Sequence, residues 1–538
     1  MTRKCFYPFV LGLYPILFLY ARNFYEVSPN FLVVPMLAVV FTIVAVLSVS
    51  RAFFGDMSKA GVFTALFAVL VFSYAQITGM IYSLRLELGG VIIGPNKVML
   101  PAVALVLVAS AAGLKRTKHS LSAVPGVLNA VSLALVLFFL VDISPKVMTI
   151  MGAWPDKKGG GYDVKEKAAY GESPDIYCIV LDAYARGDVM KDVYGYDNSA
   201  FLSSLRQNGF YVANKSTSDY NTSIHSLFAL LNFDYLPFSP ERSKGTLSLA
   251  QNAGEFKSVL HAGLWDNNVF RFLRERGYTI IGISSYDFPP LRFSADRYME
   301  YTGVINPFQY AILENTPLSC ILKFNKPFWR MVAAGYRKKI NYVFEILEDP
   351  GKLDVKGPVF VYAHVMSPHS PFVFDRNGDL PEHDVRLYNY EWPDTREPGM
   401  REAYIKAYGE QARYVAARTV KCIETILKRN NGNPPIIIIE GDHGGRVGLD
   451  WGDLERGDPR DFFCILNAYY LPGVRDEGLY PGISPVNTFR VVFNDYFGAG
   501  YPLLEDRNFV VNMAGRAMYD YTGKLSAEEK GMRESGVR

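Results

Sequence analysis

The stretch Pro434-Pro435-Ile436-Ile437-Ile438-Ile439-Glu440-Gly441-Asp442-His443-Gly444-Gly445 decides how the rest of this chain is read. Four consecutive isoleucines after a double proline predict a short strand buried on both faces, as in a parallel sheet. Its carboxyl end, where open α/β sheets place their ligands, carries Asp442 and His443, two metal-capable side chains flanked by glycines. An Asp-His pair alone is often no more than a turn. Its weight depends on how the other strands end.

Working outward, Ala403–Lys428 predicts a long helix feeding this strand, and Phe462–Leu471 a returning strand stopped by Pro472-Gly473. Upstream, Asp175–Leu181 reads as a strand ending at Asp182, and Pro358–Ala363 as another ending at His364. Between them lie a helix over Ser199–Asn208 closed by Gly209 and a helix start over Asn221–Leu231. An amphipathic helix over Trp265–Arg276, stopped by Gly277, precedes a strand over Tyr278–Ser284. Strands alternating with helices predict an α/β domain with a mainly parallel central sheet sandwiched by helices, assigned to residues 174–523. The glycine- and lysine-rich stretch from Trp154 to Ser173 reads as a linker, with boundaries at 146–173, and residues 524–538 as a charged tail. No internal repeat is visible.

At 538 residues the chain is too long for one core. A net charge of +3 supplies no basic field, which excludes nucleic acid as the expected partner. Five scattered cysteines without a CxxC give neither a disulfide framework nor zinc-finger spacing. Cys178 and Cys464 lie in apolar runs and read as buried thiols. The mean hydropathy of +0.06 averages two different compositions. Residues 5–144 hold the apolar runs Cys5–Tyr20, Phe31–Ser50, Val62–Leu84, Val98–Leu114 and Leu121–Val141. The middle ones reach the roughly 20 residues needed to cross a bilayer, and the first is marginal.

These runs predict a five-span α-helical membrane domain over residues 1–145. Met1–Tyr20, with Arg3 and Lys4, has the outline of a signal peptide, but four further runs and no small-residue cleavage site favour a retained anchor. Arg3 and Lys4, Arg51 and Lys59, then Lys115, Arg116 and Lys118 occupy alternate connections. The intervening ones are poorer, with Arg22 against Glu26, and Arg85 and Lys97 against Glu87. The positive-inside rule puts the N-terminus in the cytoplasm. With five spans, everything after about residue 145 lies outside, as expected of a multi-pass protein of a bacterial-type inner membrane.

Three strand ends therefore carry metal-capable or acid–base residues: Asp182, His364 and the pair Asp442-His443. Oxygen ligands with one imidazole suit a single divalent ion such as manganese, magnesium or zinc. In Asp219-Tyr220-Asn221-Thr222-Ser223-Ile224-His225-Ser226, hydroxyls stand at a helix start, where a positive dipole end suits a phosphoryl or sulfuryl group. The plainer reading is an N-cap at Thr222 or Ser223. His225 is expected to face packing or solvent. Arg446 is either a bidentate anion ligand or a surface charge.

The order Ile-Val-Leu-Asp182, hydroxyls at a helix start, His364-Val-Met-Ser-Pro-His369-Ser-Pro and Gly-Asp442-His443-Gly resembles the sulfatase-like branch of the alkaline phosphatase superfamily. With its N-terminal spans, the chain is similar to lipoteichoic acid synthases and lipid A phosphoethanolamine transferases. The resemblance implies Asp182, Asp442 and His443 as metal ligands, joined by a nucleophilic hydroxyl. In these families that hydroxyl is followed at plus three by a small polar residue and at plus seven by an apolar one. Ser223 fits, with Ser226 and Leu230, better than Thr222, with His225 and Ala229. Thr222 is then left as a substrate-side hydroxyl beside Arg446. His369, with His364, is implied in leaving-group protonation.

Two departures qualify this. No C/S-x-P-x-R motif is present, which disfavours formylglycine sulfatase chemistry, and no histidine follows His443, which favours one metal over two. The expected activity is metal-dependent transfer of a phosphoethanolamine- or phosphoglycerol-type head group. The donor is a membrane phospholipid, the acceptor an envelope glycan or glycolipid, and the route a covalent Ser223 intermediate. The alternatives are a phosphodiesterase or sulfuric ester hydrolase of the same fold, and a non-catalytic membrane protein.

Overall fold

The computed structural model describes residues 5–80, 86–88, 91–152, 173–236, 253–302, 305–322, 324–353, 355–382, 398–429, 432–448, 457–473, 478–511 and 518–527. Packing divides the chain into two units, Met1–Met148 with Val304–Phe328, and Thr149–Gly303 with Trp329–Arg538. Most of the linker expected over 146–173 and of the tail expected over 524–538 lies outside the described residues.

In the first unit, α1 (Tyr7–Arg22), α2 (Val33–Phe54), α3 (Met57–Phe72) and α4 (Tyr74–Met80) lead to an antiparallel hairpin of β1 (Leu86–Leu88) and β2 (Val91–Ile93). Then follow α5 (Pro95–Arg116) and α6 (Val124–Gly152). Pro29–Phe54, Pro95–Arg116 and Val124–Met148 are long and apolar enough to cross a membrane, and α3 with α4 passes the same test as a pair bent by 66°. The run Val62–Leu84 is thus broken, because Ser73 closes α3 with a bond to the Val69 carbonyl. Gly55 (φ 71°) ends α2, and the Asp56 carboxylate then accepts from the Lys59 N–H to start α3.

The ends of these helices are pinned by lysines. Lys59 Nζ donates to the Thr117 carbonyl over 2.9 Å and Lys115 Nζ to that of Phe53. The C-terminal ends of α2 and α5 and the start of α3 therefore meet at one end of the bundle. At the other end Lys146 Nζ, late in α6, donates to Ala21 O of α1 over 2.8 Å.

The second unit is built on a seven-stranded sheet of β3 (Ile176–Leu181), β4 (Tyr211–Val212), β5 (Thr279–Ser284), β6 (Arg297–Met299), β7 (Val359–Val365), β8 (Ile436–Glu440) and β9 (Asn467–Tyr470). The spatial order is β4-β9-β8-β3-β7-β5-β6. Pairs from β8 to β6 are parallel, and β9 is antiparallel to both β8 and β4. A separate hairpin joins β10 (Phe509–Val511) to β11 (Met518–Asp520).

The isoleucine run is buried on both faces, as its composition requires. Ile437 and Ile439 join Ile179, Leu181, Val361 and Ala363 against the Met400–Lys428 helix, through Tyr408, Val415 and Ile423. Ile436 and Ile438 join Cys178, Val180, Phe360 and Tyr362 against Leu227 and Leu230 of the Ser223–Asn232 helix. Each fully buried isoleucine contributes roughly 1.5–3 kcal/mol. Helices on both faces of a mainly parallel sheet are the fold class expected of this half of the chain.

Four local expectations change. Trp265–Arg276 is not one helix: Ala253–Trp265 ends, and Asn267 caps a new helix over Asn268–Arg274 by accepting from the Phe270 N–H at 2.9 Å. Phe462–Leu471 is a strand only over Asn467–Tyr470, since Asp458 and Pro459 initiate a short helix through Phe463. His364 lies within β7 rather than beyond its end. Helices over Lys326–Leu347 and Pro485–Phe497 flank the sheet without having been anticipated.

Candidate metal centre

Period-two alternation along neighbouring strands assembles the site. Val180 and Tyr362 face the Ser223–Asn232 helix, so Asp182 and His364, two residues further on, return to that face. The same count along β8 runs from Ile438 through Glu440 to Asp442. Asp182 extends the ladder by donating its N–H to Val365 O at 2.9 Å. Three adjacent strands thus end beneath the start of one helix.

Asp442 is 1 % exposed; its Oδ1 accepts from the N–H groups of Ala183 and His443, both at 3.0 Å. Ala183 adopts φ 62°, a left-handed conformation uncommon for a side-chain-bearing residue. It is held there by Tyr408, whose hydroxyl donates to Ala183 O at 2.7 Å. His364 Nε2 lies 3.2 Å from Asp182 Oδ2, and its Nδ1 3.3 Å from the Tyr362 hydroxyl. With Nε2–H donating and Nδ1 accepting, His364 orients Asp182 in the way that partners orient ligating groups. His443 Nδ1 lies 2.8 Å from Gly444 O, so that nitrogen carries the proton and the Nε2 lone pair points inward.

Ser223 opens its helix, with Oγ 3.2 Å from His443 Nε2. Thr222, the N-cap residue, makes no side-chain cap; its Oγ1 pairs instead with His225 Nδ1 at 2.5 Å. The hydroxyl that enters the site is therefore Ser223.

Two carboxylate oxygens in this cluster, Asp182 Oδ1 and Asp442 Oδ2, are buried and have no hydrogen-bond partner among the described residues. A buried acceptor left so costs about 1–3 kcal/mol, and more when charged. They stand 3.5 and 3.7 Å from His443 Nε2. Ligands about 2.0–2.1 Å from a tetrahedral ion stand roughly 3.3 Å apart, so these spacings, with Ser223 Oγ, fit one four-coordinate divalent cation. His369 also faces this cluster: Asp182, His369 and His443 offer donor atoms all within 4.8 Å of one another. Its N–H donates to Asp182 O at 3.0 Å, and its Nδ1 lies 2.6 Å from Ser370 O.

Electrostatics agree with this donor set. Burial would raise the Asp182 pKa, but the imidazoles of His369, His364 and His443 outweigh it and hold the carboxyl below its usual range. Burial, and then Arg446, push the His443 pKa down to about 4, so it is neutral and ready to ligate. Arg446, 7 % exposed, adopts φ 65° with its N–H on Asp461 O at 3.1 Å. Asp461 is fixed in turn by the Tyr194 hydroxyl at 2.5 Å.

Burial also lowers the His225 pKa, to about 3. A depressed folded-state value favours the folded protein above the unfolded pKa near 6.5, and that contribution is lost as pH falls toward 3. Between pH 7 and pH 5 the loss is about 2 kcal/mol. His225→Gln is expected to flatten this dependence, read as a smaller drop in thermal midpoint between the two pH values. An unchanged slope would contradict it.

Gly444 is required by close approach: a Cβ there would collide with the Asp461 carbonyl oxygen, which is backbone and cannot swing aside. Gly444→Ala is expected to lower stability by roughly 1–3 kcal/mol, as overpacking does, and to weaken divalent-ion binding by displacing His443. A thermal midpoint equal to that of the parent would refute it.

The structure brings together Asp182, Ser223, His364, His369, Asp442 and His443. Tyr408, Tyr194 and Asp461 support them and were not anticipated, because no local sequence signal marks a tyrosine that grips a carbonyl more than two hundred residues away. Tyr362 was legible in principle, two residues before His364 on the same strand face.

No family model matches this chain, and no curated protein does either. Solved structures are similar to it at low identity. The C-terminal periplasmic domain of EcEptC from Escherichia coli, in complex with Zn, is 14% identical over 66% of this chain and 94% of its own, with a TM-score of 0.41. The soluble domain of lipooligosaccharide phosphoethanolamine transferase A from Neisseria meningitidis is 11% identical over 61% and 89%, with a TM-score of 0.38. The lipoteichoic acid synthase LtaP from Listeria monocytogenes is 14% identical over 63% and 78%, with a TM-score of 0.36.

Proposed function

We propose that this protein is a metal-dependent, membrane-anchored transferase. It moves a phosphoethanolamine- or phosphoglycerol-type head group from a membrane phospholipid to an envelope glycan or glycolipid. The observation that carries this is Ser223 Oγ, at a helix N-terminus, 3.2 Å from His443 Nε2 and beside two buried carboxylate oxygens that have no partner among the described residues. Asp182, Asp442, His443 and Ser223 would hold the ion, which when bound would acidify the Ser223 hydroxyl and offset charge on the phosphoryl group.

Ser223 gives its hydroxyl proton to solvent, its Oγ attacks the phosphorus of the donor, and the bond to the lipid glycerol oxygen breaks. His369 gives that oxygen its proton, and His364 keeps Asp182 in register. Arg446 and the helix N-terminus hold the phosphoryl oxygens, and Thr222 lines the approach. The acceptor hydroxyl then loses its proton to His369 and attacks the phosphorus; the bond to Ser223 Oγ breaks, and Ser223 regains a proton from solvent.

We read α1, α2, the α3–α4 pair, α5 and α6 as five crossings of a bacterial-type inner membrane. Arg51, Lys59, Lys115 and Arg116 belong to the bundle end where α2 and α5 finish, and their concentration there supports a cytoplasmic assignment for that end. The N-terminus then also lies in the cytoplasm and the α/β unit outside it.

The test is intact-mass analysis of the full chain, reconstituted with phosphatidylethanolamine or phosphatidylglycerol and divalent metal, then quenched in acid. A phosphoethanolamine or phosphoglycerol adduct on Ser223 is expected. No adduct with either lipid, in protein that holds metal, would overturn the reading.

A further inference from the structure

The segment Val304–Phe328 lies in sequence between β6 and β7, yet it packs as part of the N-terminal helical unit. Its first helix, Pro307–Glu314, opens with a reciprocal cap in which Asn306 Oδ1 accepts from the Gln309 N–H at 2.8 Å. Phe308, 6 % exposed, meets the Tyr20 ring of α1 with centroids 6.3 Å apart. Phe308 and Ile312 share a cluster with Ile16, Val27 and Ile143. The Asn315 carbonyl accepts from the Ala75 N–H at 3.3 Å, and its side-chain oxygen from Gln76 Nε2 at 2.8 Å.

These contacts fall where α1 ends, α2 begins, α3 gives way to α4, and α6 finishes. All four belong to the bundle end opposite the one pinned by Lys59 and Lys115. One side of the segment is thus committed to the membrane helices at a single level.

Its other side is apolar and uncovered. Leu318, Ile321 and Phe324 are 51, 66 and 75 % exposed, around the short helix Ser319–Leu322, and the exposed Lys326 follows. The same unit also exposes Val33, Val34 and Leu37 at the start of α2. An apolar belt on membrane helices faces acyl chains, and a short segment at its rim with a following lysine has the composition of an interfacial anchor.

We propose that residues 305–328 form such an anchor, placing Leu318, Ile321 and Phe324 into the headgroup–acyl boundary of the leaflet at the α1–α2 turn. The occupant of this face is lipid. The segment belongs to the unit of long apolar helices and packs against their ends at one level, which sets lipid apart from a protein partner. The inference rests on the membrane-spanning reading of α1–α6 and is independent of the chemistry at Ser223.

The test uses the full chain with Cys5 and Cys320 replaced by serine, since the other cysteines are buried. An environment-sensitive fluorophore is attached through Phe324→Cys, and in a control through Asn377→Cys on an exposed turn of the α/β unit. Both proteins are reconstituted in phosphatidylethanolamine–phosphatidylglycerol vesicles with iodide on both sides. The label at 324 is expected to emit at shorter wavelength, to be quenched by lipid carrying a nitroxide high on the acyl chain, and to be several-fold less quenched by iodide than the label at 377.

Iodide quenching at 324 equal to that at 377, with the same result for a label at Leu318→Cys, would overturn the proposal, and would also be the result if a protein partner were the natural occupant. Leu318→Cys, labelled in the same way, guards against local unfolding at 324: protection there sustains the anchor, and its loss at both positions ends it. The Ser223 adduct is assayed on the same preparations, so a failed anchor with a normal adduct separates this inference from the catalytic one.

Discussion

Replacing Ser223 by alanine is expected to remove the proposed head-group transfer, with a fall of at least about 10³-fold in rate, because the covalent step would lose its nucleophile. The protein stays folded: the Ser223 hydroxyl bonds to His443 Nε2, and alanine is a good helix former at the first position of this helix. Thr222→Ala has a much smaller effect, since that hydroxyl is turned onto His225. The pair of variants is assayed with head-group-labelled phospholipid and an acceptor glycan. Full activity of Ser223→Ala, or the reverse ranking, would remove Ser223 from its role.

Asp442→Asn is expected to produce the second largest effect, on the ion itself. Asparagine can still accept from the N–H groups of Ala183 and His443, so the turn survives. The charge at Oδ2 is lost, and an amide donor in its place would point toward His443 Nε2, which needs its lone pair for a metal. Metal content after dialysis should fall from near one equivalent to a small fraction.

A chelator should lower the thermal midpoint of the parent, because an ion held at a hundred times its Kd adds about 2.7 kcal/mol. The same chelator should leave Asp442→Asn almost unmoved. Equal chelator shifts in both proteins would place the ion elsewhere.

What the sequence disclosed divides along physical lines. The strand over Ile436–Ile439 was legible because only a position covered on both sides suits four β-branched apolar residues. Asp182, Asp442 and His443 followed, since strand ends are where α/β sheets expose chemistry. Phe462–Leu471 misled for a known reason: a short apolar run has no period of its own, and Asp458 with Pro459 tipped its start into a helix.

The choice between Ser223 and Thr222 turns on side-chain rotamers at one helix start. In sequence that choice rested only on the spacing of Ser226 and Leu230, and the role of His364, which turns on a partner 182 residues away, leaves no trace in local spacing. The attachment of Val304–Phe328 to the membrane unit is equally non-local, because the segment is too short for periodicity to say what its inner face will meet.

Ala183 and Asp442, 259 residues apart, are joined by a single hydrogen bond at the heart of the donor set. Nascent chain that has not yet delivered residue 443 has no cage to offer, however well its first strands have formed. On the proposed topology the ion is recruited last, after the polypeptide has reached the compartment where the α/β unit matures. Which metal the protein carries is then expected to follow that compartment's supply and not that of the cytosol where translation begins. Purification from cells starved of one extracytoplasmic metal at a time should then change the occupant without changing the fold.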